Sequence, residues 1–144
     1  MLSNTSKYAI RAMIYLAIHS EDNAKTGIRK IAGELSIPAP FLAKILQVLT
    51  RHKLLNSSKG PNGGFYLARD ASKITLYEIV KVMDGSDVFE RCLISLRSCN
   101  EQNIPCPVHH KYEGLRNEIR QLFQLQDLGS LATDIKTQQK IYAL

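Results

Sequence analysis

The chain has 144 residues, 44% apolar and 22% charged. That balance builds one packed domain, or a small domain with an appendage, and excludes disorder and collagen-like repetition. No apolar run approaches the ~20 residues of a membrane span, and no charged-then-apolar leader with a cleavage site is found, so a cytoplasmic protein with no membrane partner is expected. The net charge of +6 is uneven: residues 1–75 hold eleven Lys and Arg against four Asp and Glu, residues 76–144 eight against nine. A basic front half on a near-neutral back half points to a polyanion-binding head.

Ile10, Met13, Ile14 and Ala17 recur at the spacing of one helix face and predict a helix over 6–19. Ile28, Ile31, Ala32 and Leu35 repeat the pattern over about 26–35, and Leu42, Ile45, Leu46 and Leu49 from about Ala39 to His52. Between the last two lies the tight connection Ser36 to Pro40, whose prolines suit a helix's first turn. Two strand-like runs, 54–58 and 65–68, flank Lys59-Gly60-Pro61-Asn62-Gly63-Gly64 and predict a β-hairpin. Helix, helix, turn, helix, hairpin is the order of a winged helix-turn-helix.

Thr75-Leu76-Tyr77-Glu78 matches a capping box and predicts a fourth helix over about 76–84. Residues 85–107 lack a period and contain all three cysteines, a length that marks a functional loop. Val108, Tyr112, Leu115, Ile119 and Leu122 then step by four and three, the seam of two helices lying side by side. A head this small has little body to bury that seam, so a dimerisation helix is expected. Leu128, Leu131 and Ile135 suggest a short terminal helix. The fold class is therefore mainly α: a winged helix-turn-helix DNA-binding domain over 1–84 with a small β-hairpin wing, a cysteine-bearing sensor loop over 85–107, and a long dimerisation helix plus C-terminal helix over 108–144.

In a helix-turn-helix the second helix of the motif enters the major groove. Here its outward face would start at Ala39 and carry Pro40, Ala43, Lys44, Gln47 and Arg51. Lys44 suits a guanine or a phosphate and Gln47 an adenine, while Pro40 and Ala43 offer only apolar contact. That is a thin set of base readers, so part of the specificity is expected from the wing and from DNA shape. Lys59, Gly60 and Asn62 lie at the hairpin turn, where a cation can meet phosphates or a narrow minor groove. Lys7, Arg29, Lys30, Arg51 and Lys53 are candidate phosphate contacts. Taken singly, each lysine reads better as a solvated surface charge and only the joint pattern points to nucleic acid; some winged helices bind proteins instead. An enzyme is not expected: no nucleophile–base motif, metal-hydrolase signature or phosphate loop occurs, and the glycine-rich hairpin lacks a Gly-Lys-Ser/Thr ending.

Cys92, Cys99 and Cys106 are separated by six residues each, with His109 three positions beyond the last thiol. Zinc sites favour closer cysteine pairs; widely spaced thiolates, with histidine replacing one of them, suit an iron–sulfur cluster. Three other readings stay open: thiols packed as small hydrophobes, a redox switch in which two of them pair, and zinc held with His109.

Ser6-Lys7-Tyr8-Ala9-Ile10-Arg11-Ala12-Met13, the hairpin Lys59 to Leu67 with the Asp70-Ala71-Ser72 that follows, and the three spaced cysteines resemble the Rrf2 family of bacterial winged-helix transcriptional regulators along nearly the whole chain. The resemblance implies a homodimer on double-stranded palindromic operator DNA, acting as a repressor whose operator affinity is set by an iron–sulfur cluster, 2Fe–2S in preference to 4Fe–4S, or by the redox state of the cysteines. A cofactor-free regulator with a thiol-based switch is the alternative. Cluster-binding members use three cysteines here. The IscR-like branch adds a histidine matching His109, with His110 in reserve. The NsrR-like branch uses an aspartate on the first helix of the partner subunit, where this chain has Lys7. Both cysteine spacings are one residue longer than in those branches. Ala43 stands where the IscR-like branch carries a glutamate implicated in choosing between two DNA motifs, so such a choice is not expected here.

Overall fold

The computed structural model describes residues 1–21, 24–94 and 106–138. Its elements run α1 (Asn4–Ile18), α2 (Ile28–Leu35), α3 (Ala39–Arg51), β1 (Leu55–Ser58), β2 (Gly64–Leu67), α4 (Leu76–Asp84), α5 (His109–Leu125) and α6 (Leu128–Gln138), with 3-10 turns at Ala71–Lys73 and Ser86–Phe89. The winged helix-turn-helix expected from the sequence is present, with each predicted element in its place.

α1 is the spine of the core. Ala9 and Ala12 are fully buried, and their small side chains let α4 and α6 approach α1 closely. Ile31 and Leu35 from α2, and Leu42, Ile45, Leu46 and Leu49 from α3, complete the head's interior with Ile79 of α4. α2 stops at Ser36, which adopts a left-handed conformation with φ 53°. The Ile37 N–H then donates to the Ala32 carbonyl at 3.0 Å, a left-handed helix ending. α3 departs with its axis turned by 116° from α2, within the range of a helix-turn-helix. The Arg11 guanidinium donates to the Leu35 carbonyl at 2.9 Å, setting a cation at the negative end of α2.

β1 and β2 pair antiparallel from Leu55–Leu67 to Ser58–Gly64. The Gly63 N–H closes the tip on the Gly60 carbonyl at 2.9 Å. Thr26, in the segment before α2, exchanges both backbone hydrogen bonds with Phe65, at 3.0 and 2.8 Å. The wing is thereby stitched to the helical body. α4 opens on the expected capping box: the Glu78 N–H donates to Thr75 Oγ1 at 3.3 Å and the Thr75 N–H to Glu78 Oε2 at 3.0 Å.

A second, smaller core holds Val80, Val88 and Phe89, with Tyr77, Ile119 and Phe123 against it. The Phe89 ring lies 5.4 Å from Tyr77 and 5.3 Å from Phe123, which seats α5 on its own chain. The 4-3 pattern expected to form one seam is therefore divided. Tyr112, Ile119 and Phe123 are half-buried, while Leu115 and Leu122 stand 57% and 59% exposed, joined by Leu125. The reason is angular: at 3.6 residues per turn this apolar stripe is wider than one contact, and the chain's own second core takes only one edge of it. α6 then returns to the head. Leu128 and Ala132 enter the main core, and the Leu128 N–H donates to the Ile74 carbonyl at 2.9 Å. No single helix among the described residues is long and apolar enough to cross a membrane.

Candidate functional site

The apolar side of α3 is fixed in the core, so its other side is turned outward. Pro40, Lys44, Gln47 and Arg51 are exposed, and Ala39 and Ala43 half-buried. The first four recur at steps of four, three and four, which keeps them on one face. Tyr8 meets Phe41 edge to face at 5.5 Å, so the start of α1, with the exposed Lys7 beside Tyr8, is held against the start of α3. Lys59, Gly60 and Asn62 are exposed at the wing tip, as are Arg29 and Lys30 on the first turn of α2 and Lys53 just after α3. Every basic residue picked from the sequence for nucleic acid thus lies in solvent.

Lys25 received no role from the sequence. It donates to Ser58 Oγ at 3.3 Å and lies 5.7 Å from the centre of the Tyr66 ring. It borders a groove of about 550 Å³ shared with Gly27, Pro61, Asn62 and Gly63. The signal for it is long-range: only the Thr26–Phe65 pairing brings residue 25 to the wing.

Of the predicted thiol site, Cys92 and Cys106 come together, with their sulfurs 3.3 Å apart and both residues half-buried. That is far beyond a disulfide's ~2.05 Å. It is near the roughly 3.8 Å between two thiolates on one tetrahedral metal with ~2.3 Å bonds. Cys99 lies outside the described residues. His109 opens α5, its N–H donating to the Cys106 carbonyl at 2.9 Å. Its Nε2 stands 3.5 Å from Glu113 Oε2, with the side chain 16% exposed, and its ring meets that of His110 edge-on. A carboxylate beside an imidazole is the usual orienting partner of a ligating histidine; it is equally an ordinary i, i+4 pair. Among the described residues no three His, Cys, Asp or Glu side chains converge on a metal-sized site. The close thiol pair fits two ligands of a cluster.

The stretch that leads into the cysteine segment is fastened at two points. Asp84, the last residue of α4, accepts the Ser3 N–H at 3.0 Å and the Ser3 hydroxyl. Ser3 in turn caps α1 through the Ser6 N–H at 3.0 Å. Burial pushes the Asp84 carboxyl up, but the hydrogen bonds it accepts, those from Ser3 foremost, and the Arg91 charge together outweigh it and hold the pKa below the ordinary value. Six residues further on, Arg116 of α5 donates to the Glu90 carbonyl at 3.0 Å, two residues before Cys92.

The sequence model of the Rrf2 family, described as "Iron-dependent Transcriptional regulator", matches residues 2–134. A chain from Aquifex aeolicus (strain VF5), bearing the name of an HTH-type transcriptional regulator, is 38% identical over 125 residues, 86% of this chain and 85% of its own. The regulator IscR of Yersinia pseudotuberculosis serotype O:1b (strain IP 31758) is 31% identical over 133 residues, 92% of this chain and 79% of its own. Among solved structures, CymR, the global cysteine regulator of B. subtilis, shares the fold with a TM-score of 0.73 at 21% identity, over 92% of this chain and 96% of that one.

Proposed function

The chain belongs to the Rrf2 family of transcriptional regulators, and from that premise we propose that it is a cytoplasmic, homodimeric repressor that reads palindromic operator DNA under the control of its cysteines. The observation that carries this reading is the outward face of α3, where Pro40, Lys44, Gln47 and Arg51 stand in solvent over a buried apolar side. Lys44 serves a guanine or a phosphate and Gln47 an adenine. Ala39, Pro40 and Ala43 supply close apolar contact, suited to a thymine methyl. Lys59, Gly60 and Asn62 bring the wing tip to the backbone or minor groove, and Lys7, Arg29, Lys30 and Arg51 fix the head on phosphates. The exposed leucine edge of α5 joins two copies.

Cys92, Cys106, Cys99 and His109 are the residues that would hold an iron–sulfur cluster, 2Fe–2S in preference to 4Fe–4S. When bound, such a group supplies reversible one-electron redox chemistry at the thiolates. The chain's own part is mechanical. Asp84 ties the start of the cysteine segment to the cap of α1, and Arg116 ties α5 to its entry. A change in how the segment is held therefore bears on both the head and the dimer helix.

A second reading, a cofactor-free thiol switch, is favoured by the same 3.3 Å sulfur separation. Cys92 and Cys106 need little motion to form a disulfide, passing two electrons and two protons to an oxidising low-molecular-weight disulfide, which leaves as two thiols.

The test is protein purified without oxygen, its visible spectrum with iron and sulfide analysis, and its binding to promoter DNA of its own gene before and after chelation. We expect a coloured protein with bound iron and sulfide, and a changed affinity on stripping. A colourless chain that takes up no iron overturns the cluster and leaves the thiol switch. Equal affinity in every iron and redox state overturns both switches.

A further inference from the structure

We infer that Lys25 is an additional phosphate-contacting residue of the DNA interface, its ammonium meeting the duplex backbone at the groove between the segment before α2 and the wing tip; this rests on the DNA-binding reading above. Three observations carry it. First, the position of residue 25 is fixed by the wing. Thr26 exchanges two backbone hydrogen bonds with Phe65, and a Cβ on Gly64 would sit 2.6 Å from the Thr26 backbone, so the two segments touch with no slack.

Second, the charge is held in place and meets no carboxylate among the described residues. Among the described residues the Lys25 ammonium has a serine hydroxyl at 3.3 Å and a tyrosine ring at 5.7 Å, both neutral, and no carboxylate pairs with it. Ser58 is next in the chain to Lys59, so a second cation stands on the same wing. Third, the groove that Lys25 borders is lined by Gly27, Pro61, Asn62 and Gly63, with no acidic side chain among them. Glycines and a turn leave that lining low, so a bulky phosphodiester can approach the backbone there. The wing then grips the duplex with two lysines from distant parts of the chain.

The test is the salt dependence of binding to a random-sequence DNA duplex between ~50 and ~200 mM salt. Lys25→Met keeps an unbranched stem and removes the charge; Lys25→Arg restores it; Lys44→Met is the reference for the α3 face. Thermal unfolding of each variant reports whether the fold is kept. We expect Lys25→Met to flatten the slope of log affinity against log salt by ~0.9, the value of one phosphate contact, and Lys25→Arg to recover it. A weaker Lys25→Met with an unchanged slope shows a packing role alone and overturns the inference. If the unaltered chain shows no salt-dependent binding at all, the DNA-binding reading itself fails. If Lys44→Met flattens the slope while Lys25→Met does not, only the role of Lys25 falls.

Discussion

Gly64 shows how one residue holds the wing to the body. Its φ is +152°, and a Cβ there would lie 2.6 Å from the carbonyl carbon and oxygen of Thr26, atoms that are themselves locked in hydrogen bonds to Phe65. Neither side can yield without breaking the pairing. Gly64→Ala is expected to cost ~1–3 kcal/mol, the range of overpacking at a tight contact. It should lower the urea midpoint with little change in the dependence on denaturant. Gly33 is the control: it lies within α2 with nothing inside 4 Å of its added Cβ. Gly33→Ala should hold or raise stability by about 0.5–1 kcal/mol, since alanine loses less backbone entropy in a helix. Equal midpoints for the two variants would place the wing's attachment elsewhere.

The start of α4 is a local device whose strength depends on pH. Thr75 and Glu78 satisfy each other's backbone N–H groups, and Arg69 adds a salt bridge to Glu78 at 2.7 Å. Burial pushes the Glu78 carboxyl up, but the bonds from Arg69 and Thr75 outweigh it and the pKa is lowered. A carboxyl with a lower pKa folded than unfolded stabilises fully above its unfolded value of ~4.3. That contribution fades as pH falls through the unfolded value toward the folded one. Thr75→Ala should cost ~1 kcal/mol at neutral pH, and Glu78→Gln should flatten the loss of stability between about pH 5 and 3, both read from denaturant unfolding. This cap was legible in the sequence because its whole logic spans four residues. The same holds for α1 to α3 and the hairpin, whose periods and turn residues are local. The Thr26–Phe65 stitch and the place of Lys25 were not, because they join residues 33 to 41 positions apart. The exposed set of α3 follows from the apolar period, since fixing the inner face fixes the outer one, and that of the wing tip from its turn residues. The position of Cys99 falls outside the described residues.

Across the whole molecule, the division of the α5 stripe bears on the dimer proposed above. Ile119 and Phe123 rest on Phe89 and Val80 of their own chain, so they cannot also form a dimer seam. Leu115, Leu122 and Leu125 remain, 57%, 59% and 82% exposed. Burying a leucine stabilises by ~1.5–3 kcal/mol, so three on each copy would be a substantial driving force for the proposed pairing. In the proposed dimer two heads must stand ~34–36 Å apart to reach successive major grooves, and α5, with 17 residues and about 25 Å long at 1.5 Å per residue, has a length that would help to span that distance. Leu122→Lys places a charge at the middle of this edge and touches nothing in the head. The variant should keep its thermal stability as a folded chain, sediment as a monomer, and lose ~10²–10⁴-fold in affinity for a palindromic site as two-headed binding is lost. Its binding to random DNA per head should change little. Phe123→Ala acts on the other edge: it removes a ring 5.3 Å from Phe89, so it should lower the unfolding temperature instead. A Leu122→Lys chain that still sediments as a dimer would move the interface off this edge of α5.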